Sequence, residues 1–148
     1  VHVWVMNANR EMLLQRRAMD KASHPGMWDV SCAGHIRAGD TSLETAVKEL
    51  AEELGLDVTP DNLRYLFTCP SFFILNNGKF IDRELIDVYL LSRDIVPQEL
   101  KLQADEVAAV QLMPFETLRA KIEQPDPTIV PHTEAFRMLF ALLEQNTP

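Results

Sequence analysis

Apolar residues alternate with polar ones, or run together, in six stretches that predict strands: Val1 to Met6, Met12 to Arg16, Trp28 to Ala33, Tyr65 to Leu75, Phe80 to Leu91 and Val107 to Met113. Between the third and fourth the period changes. Taking roughly 100° per residue with Glu49 as zero, Leu43, Val47, Leu50 and Leu54 fall between about 100° and 160°, the packed stripe of a helix. Thr41 or Ser42 supplies its N-cap, Glu44 stands three residues after Thr41 as a capping box requires, and Gly55 offers the left-handed residue that ends it. Two further helices are predicted after the last strand. Pro114 fits the first turn of one, whose Phe115, Leu118 and Ile122 share a face, and Thr133 caps the other, with Phe136, Leu139, Phe140 and Leu143 as its buried stripe. Asn76, Asn77 and Gly78 mark a hairpin turn. The segment QPDPTIVPH, Gln124 to His132, predicts a surface loop bordering a pocket. Strands divided by one middle helix and closed by two others predict an α/β chain with a mixed sheet between helical layers.

Composition narrows this further. At 148 residues and 47% hydrophobic content the chain can bury one sizeable core, so a single domain over residues 1–148 is expected. It opens directly on a strand pattern, VHVWVM, as a longer natural protein lacking its first residues would. Cys32 and Cys69 are widely spaced and form no CxxC pattern, which predicts reduced thiols and a cytoplasmic protein. No apolar run approaches the roughly 18 residues that span a bilayer, so no membrane partner is expected. A net charge of -8 with no offsetting lysine or arginine cluster argues against a nucleic-acid partner.

The middle helix carries the chemistry. Glu52 lies at roughly -60° and Glu53 near +40° from Glu49, so three carboxylates crowd one side of one rod. Like charges this close disfavour joint ionisation, and the remedies are raised pKa values or a bound hard cation that takes oxygen ligands. Gly34 and Gly39 frame the loop before the helix and let backbone approach a ligand.

From Gly34 to Leu56 this unit resembles the Nudix hydrolase signature, which runs Gly, five residues, Glu, seven residues, Arg-Glu, an aliphatic residue, any residue, Glu-Glu, any residue, Gly, aliphatic. Gly34, Glu49, Leu50, Glu52, Glu53, Gly55 and Leu56 match in register, while Asp40 stands for the first Glu and Lys48 for the Arg. The resemblance implies a Nudix-type α/β/α sandwich with a mixed β-sheet and magnesium-dependent cleavage of a diphosphate linkage, with manganese able to substitute. It implies Glu49 and Glu53 as principal metal ligands and Glu52 as a further ligand or a base acting through metal-bound water. It also implies the Gly34 carbonyl as an added oxygen. Lys48 would orient the glutamates as a point charge where the family has a bidentate fork. An acidic chain needs such a metal to admit an anionic substrate.

Four other features carry two readings each. Asp82 and Glu84, two apart on a strand, form either a solvated face or an extra metal ligand and catalytic base. Arg16 and Arg17 are surface charges or a phosphate grip, and Trp28 packs on the core or stacks on an organic group of the substrate. His35 faces solvent or reaches a phosphate or second metal. A finer resemblance, through LLQRR, PGMWDVSCAGH, AGD and DRELIDVYLL, points to the branch similar to isopentenyl-diphosphate isomerases and brings a rival activity, double-bond isomerisation. Those isomerases place a cysteine immediately before the Gly-His or Ser-His pair and a glutamate, matched here by Glu84, across the pocket. That cysteine position is Ala33 here, and Cys32, one residue earlier on a strand, would face the opposite way. Hydrolysis is therefore favoured. The third reading is a non-catalytic sensor of a nucleotide or diphosphate, motivated by Lys48 and Asp40. The expected partner is a nucleoside diphosphate derivative or another small organic diphosphate, and exposed strand edges make a homodimer reasonable.

Overall fold

The computed structural model describes residues 1–124 and 126–145. Its strands are β1 (His2–Met6), β2 (Glu11–Arg17), β3 (Trp28–Asp29), β4 (Cys32–Ala33), β5 (Leu63–Leu75), β6 (Phe80–Ser92) and β7 (Val107–Pro114), and its helices α1 (Ser42–Leu54), α2 (Phe115–Glu123) and α3 (Thr133–Gln145). The sheet is mixed: β1 pairs β6 in parallel, and the other pairings are antiparallel, in the order β3-β2-β1-β6-β5 with β4 on β1 and β7 on β2.

Strand alternation divides the core in two. Val1, Val3, Val5, Leu13, Tyr89 and Leu91 meet Ala46, Leu50 and Leu54 of α1 on one face. Trp4, Met12, Leu14, Ile86, Val88 and Leu90 meet Phe115 and Leu118 of α2 and Phe136, Leu139, Phe140 and Leu143 of α3 on the other. The expected α/β/α layering is the observed one. No helix among the described residues is long and apolar enough to cross a membrane.

β1 and β2 meet only at Met6 and Met12 and then diverge, β1 toward β4 and β6, β2 toward β3 and β7. Divergence leaves ladder groups unpaired, and buried backbone groups need partners. The fully buried Ser31 hydroxyl supplies them, accepting from Val5 N–H at 2.8 Å and donating to the Leu13 carbonyl at 2.5 Å. Ser31→Ala is expected to destabilise the fold by about 1–3 kcal/mol in urea denaturation, since two buried backbone groups lose their partner together.

Helix α1 starts and stops as its residues predict. Thr41 is the N-cap, in a reciprocal box with Glu44, and Gly55 (φ 66°) ends it in the left-handed region. Several boundaries differ from the sequence expectation. Trp28 to Ala33 is not one strand but two short ones, because Asp29 pairs with Gln15 while Cys32 pairs with Val3 on the other branch. Pro114 ends β7 and caps α2 from outside instead of entering its first turn. Thr133 is the first residue of α3 and not its cap, with the Phe136 N–H bonded to the His132 carbonyl. Within Gln124 to His132, Pro125 lies outside the described residues; Ile129 and Val130 are buried and not on the surface, bonded to β3 through Val130 N–H to Trp28 O and bridged to Trp28. The short apolar run Ile129-Val130 inside a proline-bearing segment accounts for that burial.

The Asn76-Asn77-Gly78 turn closes a hairpin whose strands, 13 residues each, reach beyond β1, which pairs β6 only at Val88 to Ser92. One side of this ribbon carries Phe72, Ile74, Ile81 and Leu85, all exposed, with the Arg83 guanidinium over the Phe72 ring. The other side carries Phe73, Phe80, Asp82, Glu84 and Ile86 and forms a wall of the cleft described next.

Candidate active site

A cleft opens where β1 and β2 diverge. It is lined by His2 and Gln15 from those strands, Asp29 from β3, Ala33, Gly34 and His35 around β4, Glu53 from α1, Asp82 and Glu84 from β6, and Val130 and His132 before α3. Of the residues singled out from sequence, Arg17, Gly34, His35, Glu53, Asp82 and Glu84 line it. The remaining residues, Arg16, Trp28, Lys48, Glu49 and Glu52, do not. Trp28 is half-buried against the core beside α3, and the Arg16 Nε donates to the Gly26 carbonyl at 3.0 Å.

The three glutamates of α1 turn to three different neighbours. Glu49 lies against Gly34 so closely that a Cβ there would stand 2.6 Å from its Oε1. Glu53 is buried, accepting from the Cys32 thiol and, at 3.4 Å, from the Ala33 N–H. Glu52 is half-exposed, 3.9 Å from Lys48. Among the described residues no three His, Cys, Asp or Glu side chains form a ready metal cluster. The donor set nevertheless fits a hard divalent cation: Glu49 packs against Gly34, Glu53 reaches the neighbouring Ala33 N–H, and the Gly34 carbonyl, which accepts from the Val1 nitrogen at 2.6 Å, keeps a second lone pair. Gly34→Ala is expected to drive the Glu49 carboxylate from its place and weaken manganese binding at least about tenfold by calorimetry. A variant with unchanged affinity would separate Glu49 from any metal.

Electrostatics point the same way. Burial pushes the Glu53 carboxyl up to about 7, helped by the charge of Glu49 and opposed by the bonds from Cys32 and Ala33. Burial, then Glu52, raises Glu49. Across the cleft burial, then Asp82, raises Glu84, whose Oε2 lies 3.7 Å from the His35 Nε2. Carboxylates held up in this way gain from a cation that neutralises them.

Sequence reasoning missed the cleft's other half. All four histidines of the chain, His2, His24, His35 and His132, line it. The His132 Nε2 bonds to Asp29 Oδ1 at 2.7 Å, and Asp29 Oδ2 accepts from Arg17 Nη1 at 3.0 Å while Oδ1 also accepts from Val30 N–H. The Arg17 Nε and Nη2 hold the Ser23 carbonyl and hydroxyl. Burial pushes Asp29 up, but His132 and its hydrogen bond, then His2 and Arg17, outweigh it and hold the carboxyl well below the usual range. Burial, then His132, keeps His2 neutral. The sequence singles out Arg17 by itself, but no spacing motif links it to residues 2, 29 and 132, so only the fold reveals the cluster.

Ala33 lines the cleft, whereas Cys32 is fully buried on the α1 side; both cysteines are free. Asp40 and Gly39 lie in the exposed loop before α1.

Comparisons with known proteins agree with this architecture. The NUDIX domain model matches residues 1–133. "Nudix hydrolase 3" of Arabidopsis thaliana is 41% identical over 150 residues, covering 98% of this chain and 19% of its own length. An isopentenyl-diphosphate delta-isomerase of Cutibacterium acnes is 33% identical over 96 residues, covering 65% of this chain and 48% of its own. The chain thus spans less than half the length of either relative. The crystal structure of DR0079 from Deinococcus radiodurans superposes with a TM-score of 0.68 at 22% identity, over 92% of this chain and 78% of that one, a likeness of fold. With the signature in register on α1 and the domain model spanning most of the sequence, the chain belongs to the Nudix family.

Proposed function

We propose that the protein is a divalent-metal-dependent pyrophosphohydrolase that cleaves the diphosphate linkage of a nucleoside diphosphate derivative or another small organic diphosphate. The observation that carries this reading is Glu53, buried, raised to about 7 and lining the cleft with Gly34, one turn along α1 from Glu49, whose carboxylate packs against Gly34. Glu49, Glu53 and the Gly34 carbonyl would hold magnesium, with Glu52 able to swing in from its exposed position. The bound cation would offset charge on the diphosphate and acidify a water. Glu84, with its carboxyl raised, is suited to take a proton from the attacking water, with Asp82 beside it on the same face of β6 and the exposed His35 3.7 Å away. Arg17 holds Asp29, and through it His132, so these residues shape the cleft instead of gripping a phosphate.

The isomerase reading finds less support. Its thiol position is Ala33, and the nearby Cys32 faces away with its thiol pushed up by burial, then by Glu53, which leaves it a poor proton shuttle. The test is a magnesium-dependent screen across nucleoside diphosphates and triphosphates, dinucleotides, sugar nucleotides and prenyl diphosphates, with isopentenyl diphosphate also incubated in deuterated water. Phosphate or pyrophosphate release without deuterium incorporation is expected. Deuterium in a dimethylallyl product would make the protein an isomerase, and metal-independent binding without turnover of any diphosphate would make it a sensor.

A further inference from the structure

The cleft does not end at His132. A second cavity adjoins it and shares three of its wall residues, Phe73, Ile86 and His132. The two lie side by side on one face of the ribbon, because β5 and β6 pair Phe73 with Asp82, Ser71 with Glu84 and Cys69 with Ile86. Side chains directly opposite each other in an antiparallel pair point the same way. Asp82 and Glu84 on β6 thus face the metal side, while Cys69, Ser71 and Phe73 on β5 floor the second cavity, one strand spacing away. The first turn of α3 roofs it with Pro131, Thr133, Glu134 and Ala135. Between the two stands a partition: the Phe73 ring meets His132 edge-on at 5.6 Å, and His132 is fixed from behind by Asp29.

We propose that this second cavity receives the organic, non-phosphate end of the substrate, and that it selects an uncharged, largely apolar group such as a single aromatic ring or a short branched hydrocarbon. The inference rests on the function proposed above. Its walls decide the chemistry. Cys69, Phe73, Ile86, Pro131 and Ala135 are apolar, and the cavity, about 190 Å³, is smaller than the roughly 300–1,000 Å³ pockets that take a whole drug-sized ligand, which limits it to one small group. Its one acidic wall residue, Glu134, is paired with Arg137 through both oxygens, and no lysine or arginine among the described residues lines the cavity to hold a second phosphate. A linear diphosphate with its charged end at Glu49, Glu53 and Gly34 would pass Glu84 and run along the solvent-open side of the closed Phe73–His132 contact, with its organic end between Ser71 and the first turn of α3. His132 and Phe73 would then be specificity-determining residues beside its path.

Two readouts test this, one of them independent of turnover. By calorimetry, phenyl diphosphate with magnesium is expected to bind Ser71→Phe severalfold more weakly than wild type, and inorganic pyrophosphate with magnesium is expected to bind both alike. Ser71→Phe, which fills the cavity from a half-exposed position, is expected to lower the kcat/KM ratio of phenyl diphosphate to methyl diphosphate by about tenfold, the scale on which hydrophobic pockets discriminate. Ser71→Leu serves the same purpose should the larger variant fail to fold. Equal affinity of wild type and folded Ser71→Phe for phenyl diphosphate, or an unchanged ratio in a folded variant, would overturn the subsite. Failure of the hydrolase reading looks different: wild-type protein would turn over neither diphosphate, while Ser71→Phe still weakened phenyl diphosphate binding.

Discussion

Glu53→Gln is expected to lower kcat for diphosphate hydrolysis by at least about 10²-fold, the scale of losing a positioned acid–base or metal-activating group. The substitution keeps the shape of the side chain and retains an oxygen to accept from the Ala33 N–H, so the contact that orders β4 against α1 survives. A neutral amide carries no charge to desolvate at this buried position, and the fold gains nothing from the ionised form it replaces. Circular dichroism and thermal melting should therefore match wild type while turnover collapses. Wild-type rates in a folded variant would remove Glu53 from the chemistry.

The second large effect concerns stability. Asp29→Ala is expected to cost about 3–5 kcal/mol, because it leaves the Arg17 guanidinium without its acid in a buried setting and removes the acceptor of both His132 and the Val30 N–H. The pH dependence has a definite sign. Asp29 titrates lower in the folded chain than its unfolded value of about 3.9, so its contribution is complete above that value and is lost as pH falls toward the folded one. Urea denaturation should show a wide gap between wild type and variant at neutral pH, narrowing on acidification. A gap that widens in acid would mean that the carboxyl is not the stabilising form. The loss should also reach the cleft, since Asp29 fixes His132.

What was legible in the sequence was local. The period of Leu43, Val47, Leu50 and Leu54, the Thr41 and Glu44 cap and the Gly55 stop specify α1 through contacts within a few residues, and α1 forms as those contacts require. The hairpin at Asn76 to Gly78 is likewise local, with three successive positive φ values that asparagine and glycine tolerate. What escaped depends on divergence of strands. Nothing in Trp28 to Ala33 signals that Asp29 joins one branch and Cys32 the other, or that Ser31 between them bridges both. The Asp29, His132, Arg17 and His2 cluster forms only once that branching has brought distant segments together. Of these four the sequence singles out only Arg17, as a surface charge or a phosphate grip; burial lowers His2, and His132 outweighs burial to hold Asp29 down. The glutamates were legible as a set on one helix, but their present directions, toward Gly34, Lys48 and Ala33, follow from tertiary neighbours.

The most direct measurement is the anomalous scattering of a crystal soaked in manganese, collected together with a hydrolysis assay on the same preparation. A peak bounded by the carboxylates of Glu49 and Glu53 and the carbonyl of Gly34, with metal-dependent release of phosphate from a diphosphate, is the predicted result. Glutamates that keep their separate directions with no peak between them, and no turnover of any diphosphate at saturating metal, would contradict it.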